Sequence, residues 1–161
     1  MAQPIDAPLA VVERAYLDPS FYEALGDLPN IAVPEVLDQH AAAGGIVRMS
    51  VRYRFTGHLA PPARAVLDPH KLSWVNDVTV DVGAHRTDFR MIPDHYAHRL
   101  TCTGSYWFSE RPNGTLQEIE GDLRVRYPIV GPVVERAILL GMRQHLEEQA
   151  RVLERWAAQR S

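Results

Sequence analysis

Residues 133–159, VVERAILLGMRQHLEEQARVLERWAAQ, decide how this chain folds. Wound at the helical period, they set Val134, Ile138, Met142, His145, Gln149, Leu153 and Trp156 along one stripe. Glu147, Glu148, Arg151, Glu154 and Arg155 crowd the opposite side, and Gly131-Pro132 opens the run. At about 1.5 Å per residue the helix is roughly 40 Å long, so its apolar stripe needs a correspondingly long surface to cover it. Upstream segments that alternate apolar and polar residues can form that surface, as a curved antiparallel sheet gripping the helix around a mostly apolar cavity.

The clearest of these segments is IVRMSVRYRF, residues 46–55, in which Val47, Met49, Val51, Tyr53 and Phe55 alternate with Arg48, Ser50, Arg52 and Arg54. After a proline-rich connection, Leu72, Trp74, Asn76, Val78 and Val80 share the next inner face. His85, Thr87, Phe89 and Met91 follow beyond the Gly83 turn. Leu100, Cys102, Gly104, Tyr106 and Phe108 form a fourth set, with Trp107 outward as a candidate homodimer contact. The hairpin signal Arg111-Pro112-Asn113-Gly114 leads to a fifth, Ile119, Gly121, Leu123, Val125 and Tyr127. Gly104 and Gly121 sit mid-strand on the inner face, where a missing side chain permits sharp curvature or close approach. Residues 31–40 are an edge strand, and two short helices precede it. The first is capped by Asp6, and the second runs from the Asp18-Pro19 cap to Gly26.

With 161 residues and 46% apolar content the chain is one domain, residues 1–161, able to bury a core without disulfides or metals. A net charge of −3 and interspersed arginines argue against nucleic acid. No apolar run approaches a membrane span, so no stable membrane insertion is expected, and MAQPIDAPLA does not read as a secretory signal. Cytoplasmic residence is the expectation, and the lone Cys102 fits a reduced compartment. Acidic and basic residues mix on the outer strand faces, and we read them as cross-strand ion pairs, not as catalytic carboxylates.

Two short helices, a strand meander and one long terminal helix resemble the helix-grip fold of the START-like superfamily, an α+β class that includes polyketide cyclases and pollen-allergen carriers. More narrowly, PIDAPLAVVERAYLDPSFYEAL and EGDLRVRYPIVGPVVERAI resemble an uncharacterised family of these proteins found mainly in high-GC Gram-positive bacteria. The resemblance implies a first strand, for which only Met1 to Ile5 are available, and a ligand cavity between sheet and helix. The alternation supplies its lining: Tyr53, Trp74, Asn76, Thr87, Phe89, Met91, Cys102 and Tyr106 from the strands, with Met142, His145 and Gln149 from the helix.

His145 and Gln149 stand where leucine would pack better. They either meet the polar group of a ligand, with His145 able to exchange a proton, or are satisfied by Tyr53, Tyr106, Asn76 or a buried water. His85 reads as a wet strand end, and His95 and His98 have only Asp94 as a further metal ligand. Cys102 reads as a small buried hydrophobe, and Glu135 suits the positive end of the helix dipole. No catalytic residue, metal or cofactor is assigned. The expected partner is a hydrophobic small molecule such as a lipid, isoprenoid or polyketide, carried and not turned over. A cyclase or aromatase-like enzyme and a protein-interaction module are the alternatives.

Overall fold

The computed structural model describes residues 1–160. Its elements are β1 (Ala2–Ile5), α1 (Leu9–Leu17), α2 (Pro19–Ala24), β2 (Glu35–Ala41), β3 (Ile46–Arg54), α3 (Pro61–Arg64), β4 (Ser73–Asp81), β5 (Arg86–Pro93), β6 (Leu100–Arg111), β7 (Gly114–Val125) and α4 (Gly131–Ala158). The seven strands form one antiparallel sheet in the order β1-β7-β6-β5-β4-β3-β2. Strands β2 to β7 run as a meander, and the short β1 closes the far edge by pairing Ala2 with Glu118 and Ile5 with Thr115 of β7. This is the helix-grip fold, an α+β sheet curved around a long terminal helix.

Curvature has a local cause. Gly104 of β6 lies directly opposite Gly121 of β7, and a Cβ on Gly104 would stand 2.7 Å from Phe89 Cζ and 2.8 Å from Gly121 Cα. The glycine pair lets the sheet fold inward and seats the Phe89 ring over the bend.

The apolar core falls into two clusters. One joins Val12, Tyr16, Phe21 and Leu25 of the α1–α2 region to Val51 and Tyr53 of β3 and to Ala150, Leu153 and Trp156 of α4. The other joins Val134, Ile138 and Met142 of α4 to Leu100, Cys102 and Leu123. The connection read from sequence as a proline-rich link belongs to this second cluster, because it buries Ala63 in the α3 turn and Leu67 just after it.

Three local expectations need correction. Asp6 does not cap α1: Pro8 occupies the cap position without a side-chain bond, and the Asp6 carboxylate pairs with Arg111 instead. Gly26 does not terminate α2 in a left-handed turn. The helix tightens into a 3-10 turn at Leu25–Asp27, and Gly26 is small because a Cβ there would meet Val33 Cγ2 at 2.5 Å. Outer-face ion pairs run largely along strands, as in Arg86–Asp88 and Arg124–Asp122, whereas Arg52–Asp94 joins different segments. Asp18 does cap α2, accepting from the Ser20 amide at 2.9 Å, and these bonds hold its carboxyl below the usual carboxylate range.

Candidate functional site

Strand register sorts the sequence-predicted residues into rows on the concave face. Val51, Asn76, Met91, Cys102 and Leu123 are successive cross-strand partners on β3 to β7. Tyr53 pairs with Trp74 in the next row, their rings stacked at 5.6 Å between centroids and 6° between planes. On the other side of Asn76 lies the row of Phe89, and beyond it the row containing Thr87 and Tyr106. Phe89 packs against both core clusters and so marks the seam between them.

The helix brings His145 over this face. Its ring stands edge-on to Tyr53 at 6.5 Å, and Gln149 follows one turn later. Met91, Cys102 and Met142 pack in the second cluster and Tyr53 and Trp74 in or against the first; Asn76 lies between them in register, with His145 beside Tyr53 and Gln149 one turn on. Thr87 and Tyr106 fall at the opposite end, against α1, where Tyr106 packs on Tyr16 at 5.5 Å.

Hydrogen bonding distinguishes these polar groups from ordinary core. Gln149 is only 6% exposed, yet among the described residues its amide has no hydrogen-bond partner. Neither the His145 ring nitrogens nor the Tyr53 hydroxyl has one. The Asn76 Oδ1 is buried and unsatisfied. Internal pairing with Tyr53, Tyr106 or Asn76 does not occur among the described residues; of these groups only the Asn76 Oδ1 is wholly shut off from solvent, where polar atoms are nearly always paired. Burial holds the His145 imidazole below the ordinary histidine value, so at neutral pH one ring nitrogen donates and the other accepts. Burial pushes the Tyr53 and Tyr106 phenols well up, keeping them as donors. Cys102 is 3% exposed, and burial together with the Asp122 carboxylate pushes its thiol up to about 11, which leaves it an inert thiol.

A cleft of about 490 Å³ opens at the α1 end. Tyr16 and Leu17 of α1 form one wall and Val80, Thr87 and Phe108 the other, so Thr87 is the one sequence-predicted ligand residue that lines it. His85 stands at its mouth in a left-handed turn conformation (φ 52°), exposed, with Nδ1 2.7 Å from Glu13 Oε1. The wet position expected for His85 is thus where it lies, but its bond to α1 was not foreseen.

Sequence reading also missed a buried polar chain. Gln3 Nε2 donates to Gln117 Oε1 at 2.7 Å, and Gln117 Nε2 donates to the Tyr16 hydroxyl at 3.1 Å. Gln117 shares the parity of Ile119 and Leu123 on β7, so an inward glutamine was detectable, but its partner on β1 lies more than a hundred residues away. Glu135 likewise does more than suit a dipole. Its Oε1 accepts from the Val125 amide at 2.8 Å and ties the end of β7 to the N-terminal part of α4, just past its first turn.

Solved structures place the fold among known ones. The chain matches TTHA0849 from Thermus thermophilus with a TM-score of 0.71 and 18% identity, covering 100% of this chain and 97% of that one. It matches the Zhui aromatase/cyclase from Streptomyces sp. R1128 at TM-score 0.66 and 14% identity, over 99% and 92% of the two chains. It matches norcoclaurine synthase from Thalictrum flavum at 0.59 and 15%, over 98% and 84%. No curated protein sequence matches. A family model spans residues 1–157, from β1 to within one residue of the end of α4, and the chain accordingly belongs to the family described as protein of unknown function DUF2505.

Proposed function

We propose that this protein binds a hydrophobic small molecule bearing a polar group, held between the concave sheet and the first half of α4. The observation that carries this reading is the set of unpartnered polar groups, Tyr53, Asn76, His145 and Gln149, among partly exposed aromatic and methionine side chains. A ligand hydroxyl, carbonyl or amide would give these groups the bonds the chain withholds, and Trp74, Phe89, Met91 and Met142 would cover its apolar body. The overall likeness to an aromatase/cyclase and to norcoclaurine synthase supports the fold's capacity for such ligands without assigning one.

Native mass spectrometry of protein purified from its own host tests the proposal. The expected result is a bound apolar mass, reduced in Gln149→Leu and Asn76→Leu. A ligand-free protein that also fails to bind an environment-sensitive apolar dye, with both variants indistinguishable from wild type, sinks it. A second reading, acid–base catalysis on a polyketide-like substrate, draws on the neutral His145 ring beside Tyr53. Turnover abolished in His145→Ala, with ligand binding retained, would select it.

A further inference from the structure

We propose that the outward side of the first half of α4, together with the Pro128-Ile129 turn before it, docks on an anionic lipid surface. Apolar residues stand here in the wrong place for a solvated surface. Among the described residues nine large hydrophobic side chains are exposed, and four of them, Ile129, Val133, Leu139 and Leu140, fall within twelve consecutive residues, at 96%, 38%, 50% and 59% exposure. Single exposed hydrophobes are ordinary, but a cluster is not. The inner side of the same stretch is apolar too, through Val134, Ile138 and Met142. A helix that is apolar on both sides is normally covered on both.

Ile129 sharpens the point. Its backbone is left-handed (φ 68°) in a turn closed by the Gly131 amide on the Tyr127 carbonyl at 3.0 Å. Glycine or asparagine suits that position, and a β-branched side chain is costly there. The sequence nevertheless presents an isoleucine at the tip, almost fully in water. Nothing in the fold of the chain itself repays either cost.

Charge identifies the occupant. Val133, Arg136, Leu140 and Arg143 follow one another at spacings of three and four, so they form a single stripe. Neither arginine has a hydrogen bond or ion pair among the described residues. The first acidic residue of the helix, Glu135, is turned back onto Val125, and the stripe meets its first acid only at Glu147, beyond Arg143. A second copy of this face would set arginine against arginine, whereas lipid phosphates complement them. Ile129 would enter the acyl boundary first, with Val133 and Leu140 behind it and the guanidinium groups at headgroup level. The net charge of −3 gives no long-range attraction, so binding rests on this local patch.

The test is co-sedimentation of the full chain with vesicles of phosphatidylcholine alone and of phosphatidylcholine mixed with phosphatidylglycerol. Binding is expected to the mixed vesicles, weakened by salt. Ile129→Asp and Leu140→Glu should each reduce the partition coefficient about tenfold or more, from losing one apolar insertion. Arg136→Ser and Arg143→Ser should each reduce it about fivefold. All four positions are on the surface, so unchanged circular dichroism and unfolding midpoints separate a docking effect from misfolding. Absence of binding to either vesicle, or Ile129→Asp and Leu140→Glu binding like wild type, overturns the proposal. So does a dimer in light scattering that Leu140→Glu converts to monomer, which would make the face a self-contact. The assay uses ligand-free protein, so its failure is distinct from failure of the cavity reading.

Discussion

From Gln149 to Ala157, α4 buries Gln149, Ala150, Val152, Leu153, Trp156 and Ala157; from Gly131 to Gln144 it buries only Gly131 and Val134. The second half is clamped. Trp156 packs edge-on to Phe21 at 6.1 Å, donates Nε1–H to Ser20 Oγ at 3.2 Å, and is covered by the Arg160 guanidinium at 4.2 Å from its ring. The first half is covered inside by the α3 connection and carries free apolar side chains outside. One continuous helix thus divides into an anchor and a working segment. Such a division is expected where a fold must be stable and still admit something, because local stability follows the density of buried contacts.

The two halves should differ most under side-chain truncation. Trp156→Ala should lower unfolding free energy by about 3–5 kcal/mol, as deletion of a buried aromatic does, whereas Leu140→Ala should move it by less than about 0.5 kcal/mol. Denaturant titration of the two variants measures both. Similar losses would mean that the helix is held evenly along its length. A smaller effect is expected at the one strong tie of the first half. Glu135→Ala strands the Val125 amide and should cost about 1–2 kcal/mol, while Glu135→Gln, which keeps an acceptor oxygen, should recover most of it.

The anchor was legible in the sequence because it is written in periodicity. Leu153 and Trp156 lie on the predicted stripe, and the strand parities of β3 to β6 put Val51, Tyr53, Val78, Cys102 and Phe108 inside, where they are. What escaped reading depends on contacts between distant residues. Nothing local announces that Gln3 meets Gln117, that His85 meets Glu13, or that the LAPPARAVLDPH connection packs on the first half of α4. The site was legible only in part for the same reason. Period identified His145 and Gln149 as polar intruders, but whether other side chains would satisfy them was a question of three-dimensional neighbours, and they do not. Thr87 shared the inward parity yet lies two rows from Asn76, at the α1 cleft, because parity specifies a face and not a position along it.

Gln149 and His145 sit at the boundary of the two segments, where substitutions should separate stability from binding. The Gln149 amide bonds nothing in the chain, so Gln149→Leu should cost no stability while weakening ligand binding, the exchange typical of residues kept for function.

His145 makes the subtlest prediction, a pH dependence. Because burial depresses its folded-state pKa, the unfolded chain takes up the proton first as pH falls, and acidification favours unfolding. The His145 contribution is therefore fully present above the ordinary histidine pKa of about 6.5 and is lost progressively below it, down to the depressed folded value. His145→Gln should flatten that part of the stability profile. The other six histidines are exposed and common to both proteins, so the difference between the two curves isolates this ring. A slope that survives in His145→Gln would mean that water reaches the imidazole freely. The first half of α4 would then fail to close over the sheet, and the unpartnered groups beneath it would be solvated surface instead of a waiting site.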